Sequence, residues 1–307
     1  MSRFSTRDYL AALTVIVIWG SNFVVMKYGL QSYTPFQLGA MRYLFAAFPL
    51  IFFIARPAVP LKFVIAYGLF QGVGQFGFVF TALQVGMTAA LASVLMQTQV
   101  FFTALISWLA LSERLNRQQV VGLALAALAI LCFALHFWDG AAVDLSKMGA
   151  VQATVTALGF VLCLLGASMW AASNIVARKA QAVNPDFSAM NFVVWTSLMP
   201  ILPFITLSYV FDAPAARSNW LSASLASLGA AAYLGLLGSI LGYTLWTRLL
   251  KRHSANRVAP FSLGVPVVGL SAGMLLLGEQ VSRWQWAGIA FVVVALAASF
   301  SLKFRSS

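Results

Sequence analysis

The segment Leu111–Gly122, which reads LSERLNRQQVVG, decides how this chain is organised, because its pattern returns at Leu277–Gly288 as LGEQVSRWQWAG. Four residues recur 166 positions later: Glu113, Arg117, Gln119 and Gly122 as Glu279, Arg283, Gln285 and Gly288. A second echo repeats four residues 152 positions later: Ser21, Asn22, Val24 and Lys27 as Ser173, Asn174, Val176 and Lys179. Two echoes in the same order predict an internal duplication.

The composition predicts an all-α polytopic membrane protein. Of the 307 residues, 61% are hydrophobic and only 8% are charged, whereas roughly a quarter of the residues in a soluble domain are charged. Long apolar runs also exclude an outer-membrane barrel, whose strands alternate in short segments. Ten apolar segments each approach the ~20 residues that a spanning helix needs: 9–30, 34–54, 62–84, 88–111, 118–138, 157–178, 188–211, 222–248, 256–277 and 283–303.

The net charge of +12 does not indicate a nucleic-acid partner, because the basic residues are scattered in short loops between the apolar segments. Loop placement of Lys and Arg sets membrane topology. If the N-terminus is cytoplasmic, fourteen basic residues share its side: Arg3, Arg7, Arg56, Lys62, Arg114, Arg117, Arg178, Lys179, Arg248, Lys251, Arg252, Arg257, Lys303 and Arg305. The opposite side has four: Lys27, Lys147, Arg217 and Arg283. We therefore expect both termini in the cytoplasm.

The duplication has a topological consequence. Each copy has five crossings, an odd number, so the second copy enters the membrane from the opposite side. We expect two inverted repeats, 9–138 and 157–303, joined by a connecting loop at 139–156. Glu113 then lies on the cytoplasmic side and Glu279 on the outer side. Inverted repeats are a recurrent transporter plan, with the substrate site near the midplane between the halves.

Polar and aromatic side chains inside the apolar segments are the candidate substrate-binding residues. Trp19 and Asn22 share a helix face, as do Trp170 and Asn174. Segment 3 aligns two glutamines with a phenylalanine on one face. Such amides either join helices or line a water-accessible cavity. The candidate set is Trp19, Asn22, Gln71, Gln75, Phe78, Gln97, Trp170, Asn174 and Tyr243.

Two basic residues inside apolar segments have two interpretations. Lys27 and Arg42 either assist at a substrate carboxylate or extend to the membrane interface. The Glu113–Arg117 spacing of i, i+4 likewise permits an ion pair that fastens a helical corner, or a role in handling substrate.

The acidic residues exclude several classes of function. All seven lie in loops or at helix ends: Asp8, Glu113, Asp139, Asp144, Asp186, Asp212 and Glu279. His136 and His253 are also terminal, and proton-coupled pumps usually carry such a group within the membrane. Cys132 and Cys163 lie in apolar runs without metal spacing. With no Walker-type loop, we expect neither an enzyme nor an ATP-driven pump, and neither a cofactor nor a metal.

At this point the chain resembles a known family. The opening WGSNF at Trp19–Phe23 and the two LxExxxRxQxxG motifs are similar to the two EamA-type domains of the drug/metabolite transporter superfamily. Pro266 also matches the pattern, whereas Val100 and Ala171 depart from it. The resemblance implies ten helices, in two inverted five-helix halves, around a central cavity.

The resemblance also implies a function. It favours a bacterial inner-membrane exporter of the aromatic amino acids Phe, Tyr and Trp, working by alternating access. The alternatives are threonine or other small amino acids, a sugar derivative, or a cationic drug such as methyl viologen. The alternative to a transporter is a membrane receptor or scaffold, which would need no hydrated interior. The expected partners are the substrate and the lipid bilayer, and the sequence leaves the oligomeric state open.

Overall fold

The structure is a computed structural model that describes residues 4–111, 115–138, 155–253 and 255–301. Glu113 lies outside these residues, and with it the predicted Glu113–Arg117 ion pair. Asp139, Asp144 and most of the connecting loop are outside them too. The described ranges are helical and contain no strand.

Ten principal helices account for most of the described chain. They are α1 (Thr6–Gly29), α2 (Pro35–Ala47), α3 (Leu61–Gln84), α4 (Ala89–Leu109), α5 (Arg117–His136), α6 (Ala157–Val183), α7 (Ala189–Phe211), α8 (Leu225–Leu249), α9 (Pro260–Leu277) and α10 (Arg283–Ser301). Within the described ranges, eight of them are long and apolar enough to cross a membrane. Short turns lie at Leu50–Phe52, Pro214–Ser218, Asn219–Ser222 and Ala255–Val258.

The second apolar segment differs from its prediction as one helix over 34–54. The helix ends at Ala47, and Phe48 has extended backbone angles, φ −105° and ψ 138°. Pro49 is the physical reason, because a proline disfavours helical angles in the residue before it. The chain resumes as a single 3₁₀ turn at Leu50–Phe52.

The glutamine of the repeated motif begins a helix in each copy. Asn116 and Gln119 exchange side-chain and backbone hydrogen bonds at 2.8 and 2.9 Å. Ser282 and Gln285 do the same at 3.3 and 2.8 Å. These are capping boxes, which satisfy the free N–H groups at a helix start. The motif therefore recurs because both fifth helices begin in the same way.

The glutamate of the second motif caps a helix of the first half. The Glu279 carboxylate accepts hydrogen bonds from the backbone N–H groups of Ala89 and Ala90, both at 2.7 Å. Gly278 has a φ of +64°, a left-handed conformation that glycine adopts readily. That turn brings Glu279 to the start of α4, where the helix dipole favours a negative charge. Glu279 therefore fastens the two halves together.

Contacts between the halves occur in matching pairs. The first helix of each half packs on the third and fourth helices of the other: α1 on α8 and α9, and α6 on α3 and α4. The second helices pack together, as do the fifth helices, α5 and α10. Glycines allow close approach: a Cβ on Gly20 would lie 2.6 Å from Val268, and one on Gly288 would lie 2.8 Å from Phe133.

The outer surface is apolar. Large hydrophobic side chains are well exposed on several helices, including Leu202 at 71% and Leu275 at 82%. A water-facing surface rarely carries this much contiguous apolar area, whereas lipid tails accommodate it. Together with the spanning helices, this surface identifies a multi-pass membrane protein.

We expect Glu279→Gln to destabilise the fold. The amide has one acceptor oxygen in place of two and lacks the charge that the α4 N-terminus favours, so the loss should be roughly 1–2 kcal/mol. Thermal melting of the purified protein in detergent measures it. The matched control is Asp186→Asn at an exposed carboxylate, which should melt like the wild type. Equal melting of both variants would contradict the capping role.

Candidate functional site

A cavity of about 360 Å³ lies between the two halves. Seven helices contribute to it: α1, α2, α3, α4, α6, α8 and α9. Its lining residues are Trp19, Asn22, Phe23, Met26, Arg42, Gln75, Phe76, Val79, Ser93, Met96, Gln97, Gln99, Val100, Trp170, Asn174, Gly238, Tyr243, Trp246, Ser262 and Val265. Because both halves contribute, the cavity exists only when they pack together.

Seven of the nine candidate residues line this cavity: Trp19, Asn22, Gln75, Gln97, Trp170, Asn174 and Tyr243. Gln71 lies behind the wall in a small adjoining pocket. Its amide donates to the Tyr243 hydroxyl at 3.0 Å and accepts from the Ser173 hydroxyl at 2.5 Å. Gln71 therefore supports Tyr243 from outside the cavity.

Phe78 also lies outside the cavity lining, beside Gly166 of α6. The sequence analysis assumed regular α-helical spacing in α3, but Gly68–Phe76 is π-helical. A π turn holds about one residue more than an α turn, which rotates the following residues by about 100°. Phe76 and Val79 face the cavity instead.

The π-helical segment has a counterpart in the second half. Tyr233–Leu241 of α8 is also π-helical over nine residues. The two segments are 165 positions apart, close to the offset of the repeated motif. Both flank the cavity, and π-helical turns occur frequently at functional sites. The sequence echoes did not include these residues, so the sequence analysis missed this pair.

One wall of the cavity is a cluster of aromatic rings. The Trp19 ring lies 5.2 Å from Tyr243 and 5.5 Å from Trp246, measured between ring centres. The Trp19 indole N–H donates to the Gly238 carbonyl at 3.0 Å, which fixes the ring. Trp170 of α6 lines the cavity from the other half. Trp246 was not among the candidates; its position near the end of an apolar segment is also typical of a membrane-interface tryptophan.

The side-chain amides in the lining differ in whether their polar atoms have hydrogen-bond partners. Asn174 donates to the Gln99 side chain at 2.7 Å, and Gln97 donates to the Ser262 carbonyl at 3.1 Å. In contrast, the side-chain oxygens of Asn22 and Gln75 are buried without a hydrogen-bond partner. Gln97 and Asn174 thus also join helices, whereas Asn22 and Gln75 retain free acceptors.

Arg42 supplies the charge in the lining. Its side chain is 1% exposed, and its Nη2 donates to the Ser239 hydroxyl at 3.1 Å. The guanidinium carbon lies 3.6 Å from the centre of the Phe76 ring, a cation–π contact. Lys27, the other basic candidate, does not line the cavity and donates to the Leu83 carbonyl at 2.7 Å.

The lining contains neither a carboxylate nor a histidine. The part of the chain that the structure describes also holds no group of three or more His, Cys, Asp or Glu residues that would bind a metal. What the cavity presents is aromatic rings, amides, hydroxyls and one guanidinium. This set can bind a small organic molecule that carries an anionic group.

Comparisons with known proteins agree with this architecture. The model of the EamA-like transporter family matches residues 6–135 and 157–301. A Salmonella typhimurium protein named "Probable amino-acid metabolite efflux pump" is 40% identical, covering 95% of this chain and 94% of its own length. An Escherichia coli protein of the same name is 37% identical, covering 99% of this chain and 98% of its own length. One crystal structure covers 99% of this chain and all of its own with a TM-score of 0.57 at 18% identity, which shows a shared fold.

We expect Gly242→Ala to disrupt the aromatic wall. The Cβ of an alanine at this position would overlap the Trp19 indole, and overpacking of this kind costs about 1–3 kcal/mol. Thermal melting and intrinsic tryptophan fluorescence should both change. Gly229→Ala in the same helix is the control, because no atom lies within 4 Å of its Cβ position. An unchanged Trp19 environment in Gly242→Ala would contradict the packing described.

Proposed function

This chain belongs to the EamA-like transporter family, and we propose that within this family it is a secondary transporter that exports amino acids with aromatic side chains. It is a membrane transporter and not an enzyme. The names of two relatives, at 40% and 37% identity, support an amino-acid metabolite as the cargo and export as the direction. The aromatic preference is our proposal from the cavity.

The observation that carries the proposal is the composition of the cavity wall. Trp19, Tyr243 and Trp246 form an aromatic cluster, and Trp170 contributes a ring from the other half. A planar side chain gains from offset or edge-on packing with such rings. The volume of about 360 Å³ is near the lower end of ligand pockets. It fits one molecule of amino-acid size.

We propose that the two halves are inverted repeats, and the direction of helix pairing supports this. Helices α1 and α9 run parallel, because Ile16 is beside Gly264 and Gly20 is beside Val268. Their counterparts α6 and α4 are also parallel: Asn174 pairs with Gln99, and Arg178 with Ser107. Both parallel pairs are expected if the second half has the reversed orientation.

The same kind of contact supports our proposal of ten crossings. Thr34, just before α2, donates to the Asp212 carboxylate at 2.6 Å. Beyond the other end of α2, the Ile54 carbonyl accepts from the Trp195 indole at 3.1 Å. Residues 34–54 thus run antiparallel to α7 along its length, although only Pro35–Ala47 is α-helical. We therefore count this segment, and α10 beside α5, as crossings.

This arrangement supports alternating access. Repeats 9–138 and 157–303 both contribute to the cavity wall, so a rocking motion of one half against the other would open the cavity to either side. We propose that both termini are cytoplasmic, in the inner membrane of a bacterium, on the strength of the loop charges. Glu279 then fastens the halves on the outer side.

A second candidate is a smaller amino acid or another amino-acid metabolite, since the relatives' names do not mention aromatic side chains. A cationic drug is disfavoured, because the lining carries the Arg42 guanidinium and no carboxylate. Counterflow into proteoliposomes with labelled Phe, Tyr, Trp, Thr and methyl viologen separates these cases. We expect uptake of the three aromatic amino acids to exceed that of Thr, and no uptake of methyl viologen.

We expect Trp170→Ala to reduce selectivity for aromatic cargo. The loss of one ring contact corresponds to a decrease of roughly 2- to 10-fold in Phe and Trp uptake relative to Thr. Phe78→Ala is the matched control, because Phe78 lies outside the cavity lining. Its uptake ratio of Phe to Thr should equal that of the wild type. If the two variants change that ratio equally, Trp170 does not contact the side chain.

We expect single cysteines near positions 215 and 280 to react with an impermeant maleimide from outside intact cells. Those near positions 58 and 253 should react only after the membrane is permeabilised, because the loop charges predict a cytoplasmic location. Variants with Cys132 and Cys163 replaced provide the background. A reversed labelling pattern would refute the proposed orientation.

A further inference from the structure

We propose that Arg42 is the anchor for the carboxylate of the cargo, and that the side-chain oxygens of Asn22 and Gln75 accept hydrogen bonds from its ammonium group. The cavity would then be complementary to the zwitterionic part of an amino acid, independently of the side chain that the aromatic wall selects. The identity of the cargo as an amino acid rests on the proposed function.

The first argument is that Arg42 has no counterion among the described residues. Glu279 is held by the α4 N-terminus, Asp212 by Thr34 and Ser208, and Asp8 by Arg252 and Ser5. Asp186 is exposed. Arg42 is only 1% exposed, so its charge is largely shielded from bulk solvent.

The second argument is the state of the guanidinium. Nη2 donates a hydrogen bond to the Ser239 hydroxyl, but Nε and Nη1 are buried without a hydrogen-bond partner. A buried charge that lacks a partner is destabilising, and ionisable groups inside a membrane usually have a function. A carboxylate can accept two parallel hydrogen bonds from an arginine, so one would satisfy the free donors.

The third argument is that the surrounding helices hold Arg42 in place. The guanidinium lies over the ring of Phe76, which belongs to the first π-helical segment. It also donates a hydrogen bond to Ser239, which belongs to the second π-helical segment. At Gly235, also in the second segment, a Cβ would lie only 2.5 Å from the Arg42 carbonyl oxygen. Both π-helical segments therefore contact the same residue, which orients the guanidinium without neutralising its charge.

The fourth argument is that the unpaired groups form a complementary set. Six buried side-chain nitrogen or oxygen atoms in the described ranges lack a hydrogen-bond partner, and four of them belong to Asn22, Arg42 and Gln75. All three residues line the central cavity. They offer two donor nitrogens of a cationic guanidinium and two acceptor oxygens of neutral amides. An amino acid carries the opposite set, a carboxylate and an ammonium group.

The test compares ligands that lack one charged group. L-phenylalanine carries both groups, 2-phenylethylamine lacks the carboxylate, and 3-phenylpropionate lacks the ammonium. Binding of each to the full chain in nanodiscs is measured by titration calorimetry for the wild type, Arg42→Met and Arg42→Lys. Arg217→Met is the control, because it removes an exposed arginine that stacks on Tyr209 outside the cavity.

We expect Arg42→Met to weaken binding of L-phenylalanine and 3-phenylpropionate by about 10- to 100-fold, the range for a hydrogen bond to a charged group. Its affinity for 2-phenylethylamine should not fall, and its melting temperature without ligand should not drop, because an unpaired buried charge is removed. Arg42→Lys keeps the charge but loses the planar fork, so an intermediate loss is expected. Arg217→Met should bind all three ligands like the wild type.

Two binding results would overturn the inference. One is an equal loss of all three ligands in both Arg42 variants with a lowered melting temperature, which would make Arg42 a packing residue. The other is unchanged binding of 3-phenylpropionate in Arg42→Met. If the wild type transports no amino acid but binds 3-phenylpropionate through Arg42, the carboxylate anchor stands and the proposed function fails. Phenylalanine transport that does not depend on Arg42 retains the function and removes the anchor.

Discussion

The requirement that every backbone polar group be paired within the bilayer is the constraint on which this structure depends. It forces the apolar segments into helices and leaves the helix ends as the places where side chains must supply hydrogen bonds. The repeated motif meets this need in two ways. Gln119 and Gln285 complete capping boxes, and Glu279 caps α4 in the opposite half. A motif that looks like a functional signature is therefore explained by helix termini.

A transport pathway has the opposite requirement. It needs polar groups inside the membrane that are free to form hydrogen bonds with the substrate. Among the described residues, four of the six buried side-chain atoms without a hydrogen-bond partner belong to Asn22, Arg42 and Gln75, which surround one cavity between the halves. Glycines in α1 and α8 bring the backbones close, while the tryptophan and tyrosine rings keep space open. Stability thus resides in the helix contacts and caps, whereas the proposed binding site lies among the unpaired polar groups between the halves.

The paired π-helical segments connect these two aspects. Each adds about one residue to a turn of the third helix of its half, and each contacts Arg42. An extra residue of this kind changes which side chains face the cavity, as the positions of Phe76 and Phe78 demonstrate. The duplication therefore extends to the local geometry of the site as well as to the order of helices.

The sequence by itself determined the helical membrane class and the two EamA-type segments, because composition and periodicity report burial in lipid directly. It also predicted seven of the twenty residues that line the cavity, since amides and paired tryptophans are unusual in apolar helices. Tertiary structure decided the rest. The break after Ala47, the rotation of Phe78 out of the cavity and the role of Trp246 depend on turn geometry and neighbouring helices. Whether Arg42 extends to the membrane surface or lines the cavity also depends on packing. Phe76 of α3 and Ser239 of α8 hold its guanidinium at the cavity wall, and the sequence around Arg42 contains neither residue.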